Sequence, residues 1–241
     1  MKHLYRNIKK ALLNKEKLLA VLIDPDKFSI ENTASFIDKV NNSVATHIFI
    51  GGSSVGEGVT YDLVTEIKKH TEFPIVLFPG DVTQITSEAD GLLFLSLLSG
   101  RNPDYLIGKH VRAVSRLRTS SLEVISTGYI LIENGKKTAV EHVTGTKPLS
   151  RNDIQGIRDT AKAGEFLGMK LVYLEAGSGA HIPINAEIIS LVKHDISVPL
   201  IVGGGIRTKT QIENAYEAGA DIVVVGTAFE EDVSFFDELK K

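Results

Sequence analysis

Along the chain, short apolar runs recur at a spacing too wide for hairpins. They are LLAVLID (18–24), THIFIGG (46–52), PIVLFPG (74–80), GLLFLSLL (91–98), LEVISTGYILI (122–132), KLVYLEAG (170–177), VPLIVGGGI (198–206) and DIVVVGTAF (221–229). They are rich in β-branched residues, apolar throughout rather than alternating, and bounded by Gly, Pro or Asp, as strands buried on both faces should be. The intervals carry helical patterns such as SIENTASFIDKVNNS, NPDYLIGKHVRAVSRLR, SRNDIQGIRDTAKAGEFLG, NAEIISLVKH and TKTQIENAYEAGA, with Ser, Asn or Thr at the N-cap positions. Eight strands alternating with helices predict an α/β fold of the (β/α)8 TIM-barrel class.

One interval departs from the rule. Only DVTQITSEAD lies between the third and fourth strands, ten residues where a crossover with its helix needs a dozen or more. The third helix is therefore expected to be missing or reduced to a turn, leaving a gap in the outer ring. LIDPDK…THIFIGGSS near the start and LIVGGGIRT…DIVVVGTAF near the end share one layout, a faint internal echo of two halves. ENGKKTAVEHVTGTKPLS, residues 133–150, reads as a long loop after the fifth strand, and long loops in compact domains usually serve as lids or binding loops. No other linker-like stretch interrupts residues 1–241, so a single barrel domain is expected.

Composition narrows the function classes. The 241 residues are 43% hydrophobic and 24% charged, enough for a sizeable core. A net charge of −3 carries no electrostatic footprint for nucleic acid. There is no cysteine, which excludes disulfides, thiolate metal sites and cysteine nucleophiles and points to a cytoplasmic setting. The basic N-terminal stretch has LLAVLI as its longest apolar run, too short for a signal sequence or a transmembrane segment.

In barrels of this class chemistry is carried where strands end, at the C-terminal face. Asp24, held by Pro25 as the chain leaves the first strand, and the Ser53 hydroxyl after the second are hard oxygen donors suited to Mg²⁺ that keeps most of its waters and bridges a phosphorylated substrate. The alternative for Asp24 is a cap on the following turn. Lys27 offers a positive charge to phosphate, although exposed lysines usually have no such role. Gly177, Ser178 and Gly179, with Gly204, Gly205, Gly226 and Thr227, would let backbone N–H groups converge on a phosphate, unless they only make tight turns. Glu175 stands one step before this anion loop. A carboxylate there is repelled by bound phosphate, so accepting a proton from a substrate hydroxyl is its sensible use, the alternative being a bond to neighbouring backbone. The histidines show no metal-ligand spacing.

LIDPDK, IFIGGSS, LLSGRNPDYLIGKH, TGYILIENG, YLEAGSGA, VGGGIRT and VVVGTAF together resemble the geranylgeranylglyceryl phosphate synthase family, which includes bacterial heptaprenylglyceryl phosphate synthases. The resemblance runs in order from about residue 18 to 230. It implies a modified (β/α)8 barrel with its third helix replaced by a loop, in agreement with the short interval. It also implies an Mg²⁺-dependent prenyltransferase that joins the 3-hydroxyl of sn-glycerol 1-phosphate to a polyprenyl diphosphate, geranylgeranyl in the first instance, with release of diphosphate. Carried over, Asp24 and Ser53 match the metal positions. Tyr173, Leu174, Glu175, Ala176, Gly177, Ser178 and Gly179, with Gly204, Gly205, Gly226 and Thr227, match the glycerol phosphate site. Thr227 stands where the family often has Asn, a change that keeps a hydrogen-bonding side chain. Glu175 matches the base, and Lys27, Arg101, Asn102 and Tyr129 fall near the prenyl diphosphate. The gap in the helical ring and an apolar groove for the prenyl chain point to a homo-oligomer. The competing reading is a sugar-phosphate isomerase or epimerase, which needs the late glycines but neither LIDPDK nor SGRNPDYLIG; a non-catalytic barrel has no use for an acid beside a phosphate loop.

Overall fold

The computed structural model describes residues 3–240. Eight parallel strands pair in chain order, β1 (Leu18–Ile23), β2 (His47–Ile50), β3 (Ile75–Leu77), β4 (Gly91–Leu97), β5 (Glu123–Leu131), β6 (Leu171–Glu175), β7 (Leu200–Gly203) and β8 (Ile222–Val225), and the sheet closes as a barrel. Each falls within one of the apolar runs. By compactness the chain divides into two units, one comprising residues up to 93, 111–124 and from 225 on, the other residues 94–110 and 125–224.

In the first unit α1 (Leu4–Leu13), α2 (Thr33–Asn42), α3 (Val59–Ile67), most of α4 (Lys109–Leu117) and the short α9 (Thr227–Glu231) and α10 (Phe235–Glu238) accompany β1, β2 and β3. β1 and β2 keep a two-sided buried register, Ala20 opposite His47 and Ile23 opposite Ile50. Burial drives the His47 imidazole down to about 4, so it is a neutral part of the strand. Between β3 and β4 there is no α-helix, only a 3-10 turn at Val82–Gln84. That turn has a use: the buried Gln84 side chain donates to Gly52 O (2.8 Å) and accepts from Gly80 N (3.3 Å), tying together the ends of β2 and β3.

In the second unit β5, β6 and β7 share a register that places Tyr129 opposite Tyr173, Leu131 opposite Glu175, and Glu175 opposite Gly203. α6 (Ile154–Phe166), α7 (Ala186–Asp195) and α8 (Lys209–Glu217) follow the predicted patterns. Asn185 and Thr208 cap α7 and α8, while α6 is capped by Asp153 rather than by the Ser150 that opens the sequence pattern. The stretch 133–150 is more ordered than a loop: α5 (Ala139–Thr144) opens on a capping box between Thr138 and Glu141 and ends on left-handed Gly145.

Candidate active site

Strand alternation puts Tyr173 and Glu175 on one face of β6. Tyr173 is fully buried and meets Tyr129 of β5 edge to face, ring centroids 5.5 Å apart. On the other side β7 has no side chain to offer, and must not. A Cβ on Gly203 would lie 2.5 Å from the Tyr173 hydroxyl oxygen and 2.9 Å from Glu175 Oε2. A residue with a side chain would displace the carboxylate.

Glu175 is only 5% exposed. Burial lifts its carboxyl to about 7, against the pull of the Gly177 N–H, which donates to Oε1 at 2.6 Å. Burial, and then the Glu175 charge, push the Tyr129 and Tyr173 phenols well above their usual value, so both stay neutral. The acid therefore sits in an apolar wall and is poised between protonation states near neutral pH. It also makes the backbone bond that the sequence alone offered as the alternative to catalysis.

The glycines beside it are conformationally required. Gly177 (φ +101°), Gly179 (+66°), Gly204 (+84°) and Gly205 (+73°) all lie in the left-handed region, where successive N–H groups turn to one side of the chain. The N–H groups of Gly179, Gly204 and Gly205 donate to no acceptor among the described residues. Leu174 and Ala176 are fully buried and set the loop's exit from β6, whereas Ser178 at its tip is exposed. Gly226 and Thr227 belong to the first unit, where they open α9.

At the end of β1 the setting is different. Asp24 Oδ1 accepts from Asp26 N (3.2 Å), the turn cap foreseen as its alternative role, while Oδ2 pairs with Lys27 Nζ at 3.0 Å. The Asp24 carboxylate packs against the Cα of Gly52, where a Cβ would lie 2.5 Å from Oδ1, and the partly buried Ser53 follows. Burial draws the Lys27 amine down, but the Asp24 hydrogen bond and charge, with the Glu230 charge, bring it above its usual value. Burial raises the Glu230 carboxyl, opposed by Lys27 and reinforced by Asp24. Among the described residues no cluster of three His, Cys, Asp or Glu could hold a metal. One constrained carboxylate and one hydroxyl fit Mg²⁺, which binds few protein oxygens and completes its shell with water and phosphate.

A sequence profile for the PcrB family matches residues 11–241. The chain belongs to the PcrB family. Proteins named geranylgeranylglyceryl phosphate synthase are similar to this PcrB-family chain over nearly its whole length. That of Flavobacterium johnsoniae is 53% identical over 97% of this chain and 96% of its own, and that of Thermococcus gammatolerans 44% identical over 95% and 90%. Among solved structures, the (S)-3-O-geranylgeranylglyceryl phosphate synthase of Thermoplasma acidophilum, in complex with sn-glycerol-1-phosphate, superposes with a TM-score of 0.92 at 29% identity, over 99% of this chain and 96% of that one.

Within the second unit of this PcrB-family barrel, the sequence-selected Tyr129, Tyr173, Glu175, Gly177 and Gly204 come together. Arg101 and Asn102 are engaged with backbone instead. Arg101, itself left-handed at φ +55°, donates to Leu98 O (2.7 Å), and Asn102 donates to Thr144 O (2.9 Å). In the first unit Lys27 is paired with Asp24. The sequence reading passed over Gln84 and Glu230, and also the donors Asn134 and Arg151, which hold carbonyls of the loop after β6. Only the position of Glu230, directly after the VVVGTAF run, gave any signal.

Proposed function

We propose that the chain is a prenyltransferase that forms an ether between the 3-hydroxyl of sn-glycerol 1-phosphate and a polyprenyl diphosphate, releasing diphosphate. The observation that carries this reading is a buried carboxyl raised to about 7 one residue pair away from unpaired, left-handed glycine amides. An anion held by those amides brings its own alcohol to a base whose affinity for protons suits neutral pH. The names carried by the relatives make geranylgeranyl the proposed chain. A sugar-phosphate isomerase would use the glycines equally well, but nothing in that chemistry calls for Asp24 and Ser53.

The glycerol phosphate is held through Tyr173 to Gly179, Gly204 and Gly205, with Gly226 and Thr227 completing the set. Glu175 accepts the hydroxyl proton as the oxygen forms its bond to C1 of the prenyl chain. The C1–O bond to diphosphate breaks and the leaving group keeps the electron pair. Tyr129 and Tyr173, being neutral, line the acid without competing for that proton. Mg²⁺, held by Asp24 and Ser53, supplies charge neutralisation for the diphosphate when bound. Lys27, which pairs with Asp24, is a further cation for that group. Arg101 and Asn102 are proposed to hold the same diphosphate, after leaving their present backbone partners.

Two broader features belong to the same proposal. Assembly into a homo-oligomer is supported by exposed apolar side chains, Val111 on α4 and Phe166 with Leu167 at the end of α6. A cytoplasmic setting is supported by the cysteine-free composition. The test is incubation with Mg²⁺, labelled sn-glycerol 1-phosphate and prenyl diphosphates of several lengths, followed by extraction of lipid. Labelled ether lipid that requires both substrates is expected; its absence with every chain length would overturn the assignment.

A further inference from the structure

The loop that leaves β6 is held from outside to an unusual degree. Of the eight carbonyls from Ala176 to Pro183, at least six accept hydrogen bonds, and five of those come from side chains rather than from the loop itself. Ala176 O accepts from Asn134 Nδ2, Gly179 O from Lys136 Nζ (3.2 Å), Ala180 O from Arg207 Nη1 (2.6 Å), and Ile182 O and Pro183 O both from Arg151 Nη2 (2.7 Å each). Gly177 O is taken by Ala180 N within the loop (3.1 Å). A peptide unit whose carbonyl is held on one side turns its N–H to the other. The bonds to Ala176 O and Gly177 O fix the peptide units that carry the next N–H groups, whereas Ile182 O belongs to a peptide unit that ends on Pro183 and has no N–H, so the bonds to Ile182 and Pro183 anchor the backbone of the loop's far limb before any ligand arrives.

Arg151 takes two of these carbonyls with one group. Besides its two carbonyls in the loop, its Nε donates to Glu133 O, just beyond β5, so a single planar guanidinium joins backbone segments far apart in sequence. The joint is geometric. Asn134, next to Glu133, is 2% exposed, accepts from Lys136 N (3.0 Å) and reaches Ala176, the residue that follows Glu175. Lysine has the charge of arginine but not its fork, and cannot serve both segments in a fixed plane.

From this geometry we infer that Arg151 is a positioning residue for the glycerol phosphate: without touching the substrate, it anchors the far limb of the loop after β6, and so keeps the Gly179 amide and the limb that packs on Gly205, where a Cβ would lie 3.1 Å from Ala180 O and Pro183 N, in place for the phosphate. Asn134 does the same for the limb nearest Glu175. The inference rests on the proposed function, because it takes that loop to be the phosphate site.

Arg151→Lys, Arg151→Ala and Asn134→Asp, each in the full-length protein, test it by calorimetric titration with sn-glycerol 1-phosphate, steady-state kinetics in both substrates and thermal unfolding. Arg151→Ala should weaken glycerol phosphate binding by roughly 30- to 100-fold, the scale of an ångström of misplacement. Arg151→Lys should fall between it and wild type, and Asn134→Asp, which keeps the shape but cannot donate, should lose roughly tenfold. The KM for prenyl diphosphate should stay within about twofold of wild type, and the pH midpoint of kcat should remain that of Glu175. If Arg151→Ala does not fold, Arg151→Lys decides. Unchanged glycerol phosphate affinity in a folded Arg151→Lys protein overturns the inference, as does a parallel rise in both KM values with a lowered Tm. Wild-type protein that binds no glycerol phosphate overturns the proposed function and this inference together, whereas wild-type binding with an indifferent lysine variant overturns this inference alone.

Discussion

Glu175 and Asp24 are both carboxylates at the ends of barrel strands, yet the first is 5% exposed and the second keeps 18% of its side chain in solvent. Around Glu175 everything is fixed: two buried aromatic rings, three adjoining glycines on β7 and its loop, and a backbone N–H at 2.6 Å. Around Asp24 the charges neutralise one another instead, through a lysine that is 53% exposed and a nearby glutamate. The first arrangement is costly to move and suits a group whose protonation must be set in advance. The second can exchange partners at little cost, since half-exposed ion pairs contribute little stability, and suits a group that must accept a metal arriving with its substrate.

The sharpest way to break the contrast is Glu175→Gln, which keeps the shape and cannot take a proton. It should lower kcat by roughly 10² to 10⁴ with little change in affinity for glycerol phosphate. Intact binding with near-normal single-turnover ether formation would remove the general base. In wild type, log kcat should climb through about pH 7 as Glu175 ionises, and the residual rate of the Gln variant should be flat there. Stability should respond with the opposite sign. A carboxyl raised from 4.5 to about 7 lends the fold stability that is complete below pH 4.5 and lost as pH rises through 7. Relative to wild type, the Gln variant should therefore gain about 3 kcal/mol between those limits, read from denaturant unfolding at each pH.

On the exchangeable side, Asp24→Ala should cost on the order of 10² in activity at saturating Mg²⁺ while Tm falls only slightly, because what it loses is one turn cap and a half-exposed ion pair rather than buried apolar packing. Turnover near wild type would take Asp24 out of the metal site. Gly204→Val strikes the fixed side at both the anion loop and the acid: at φ +84° its Cβ would collide with Glu175 Oε1 and lie 2.7 Å from Ala176 N and Gly177 N, so kcat should fall as well. The KM for glycerol phosphate should rise roughly 10- to 100-fold and that for prenyl diphosphate far less; equal rises would point to general misfolding. Thr227→Asn should be the mildest change, within about twofold in KM for glycerol phosphate, because a polar side chain and the backbone N–H are both retained. A tenfold loss would make the threonine hydroxyl a specific contact.

What could be read from the sequence and what could not divides along the same physical line. Two-sided burial writes itself into composition, so all eight strands were legible, and with them Asp24 and Glu175 as the polar residues that end them. The reduced third crossover was legible as a length. α5 was not, because six residues with one capping box lie inside a polar stretch that has no apolar period to detect. α1 could have been found, since Leu4, Ile8 and Ala11 recur at helical spacing. The roles of Asn134, Arg151 and Gln84 were beyond reach: each holds backbone carbonyls 31 to 42 residues away, and a carbonyl is the same in every residue. The raised affinity of Glu175 for protons was equally hidden, because it comes from the neighbours that close over the carboxyl.

The short crossover between β3 and β4 also bears on how the chain reaches its fold. Val76 pairs with Gly91 across 15 residues, whereas Thr127 pairs with Leu171 across 44. By the logarithmic cost of loop closure, that difference favours the first pairing by about 1 kcal/mol before any side chain packs. Parallel sheets are slow to form because distant strands must meet before anything rewards them. Omitting one helix gives this barrel its most local strand pair, the one whose closure costs the chain least entropy.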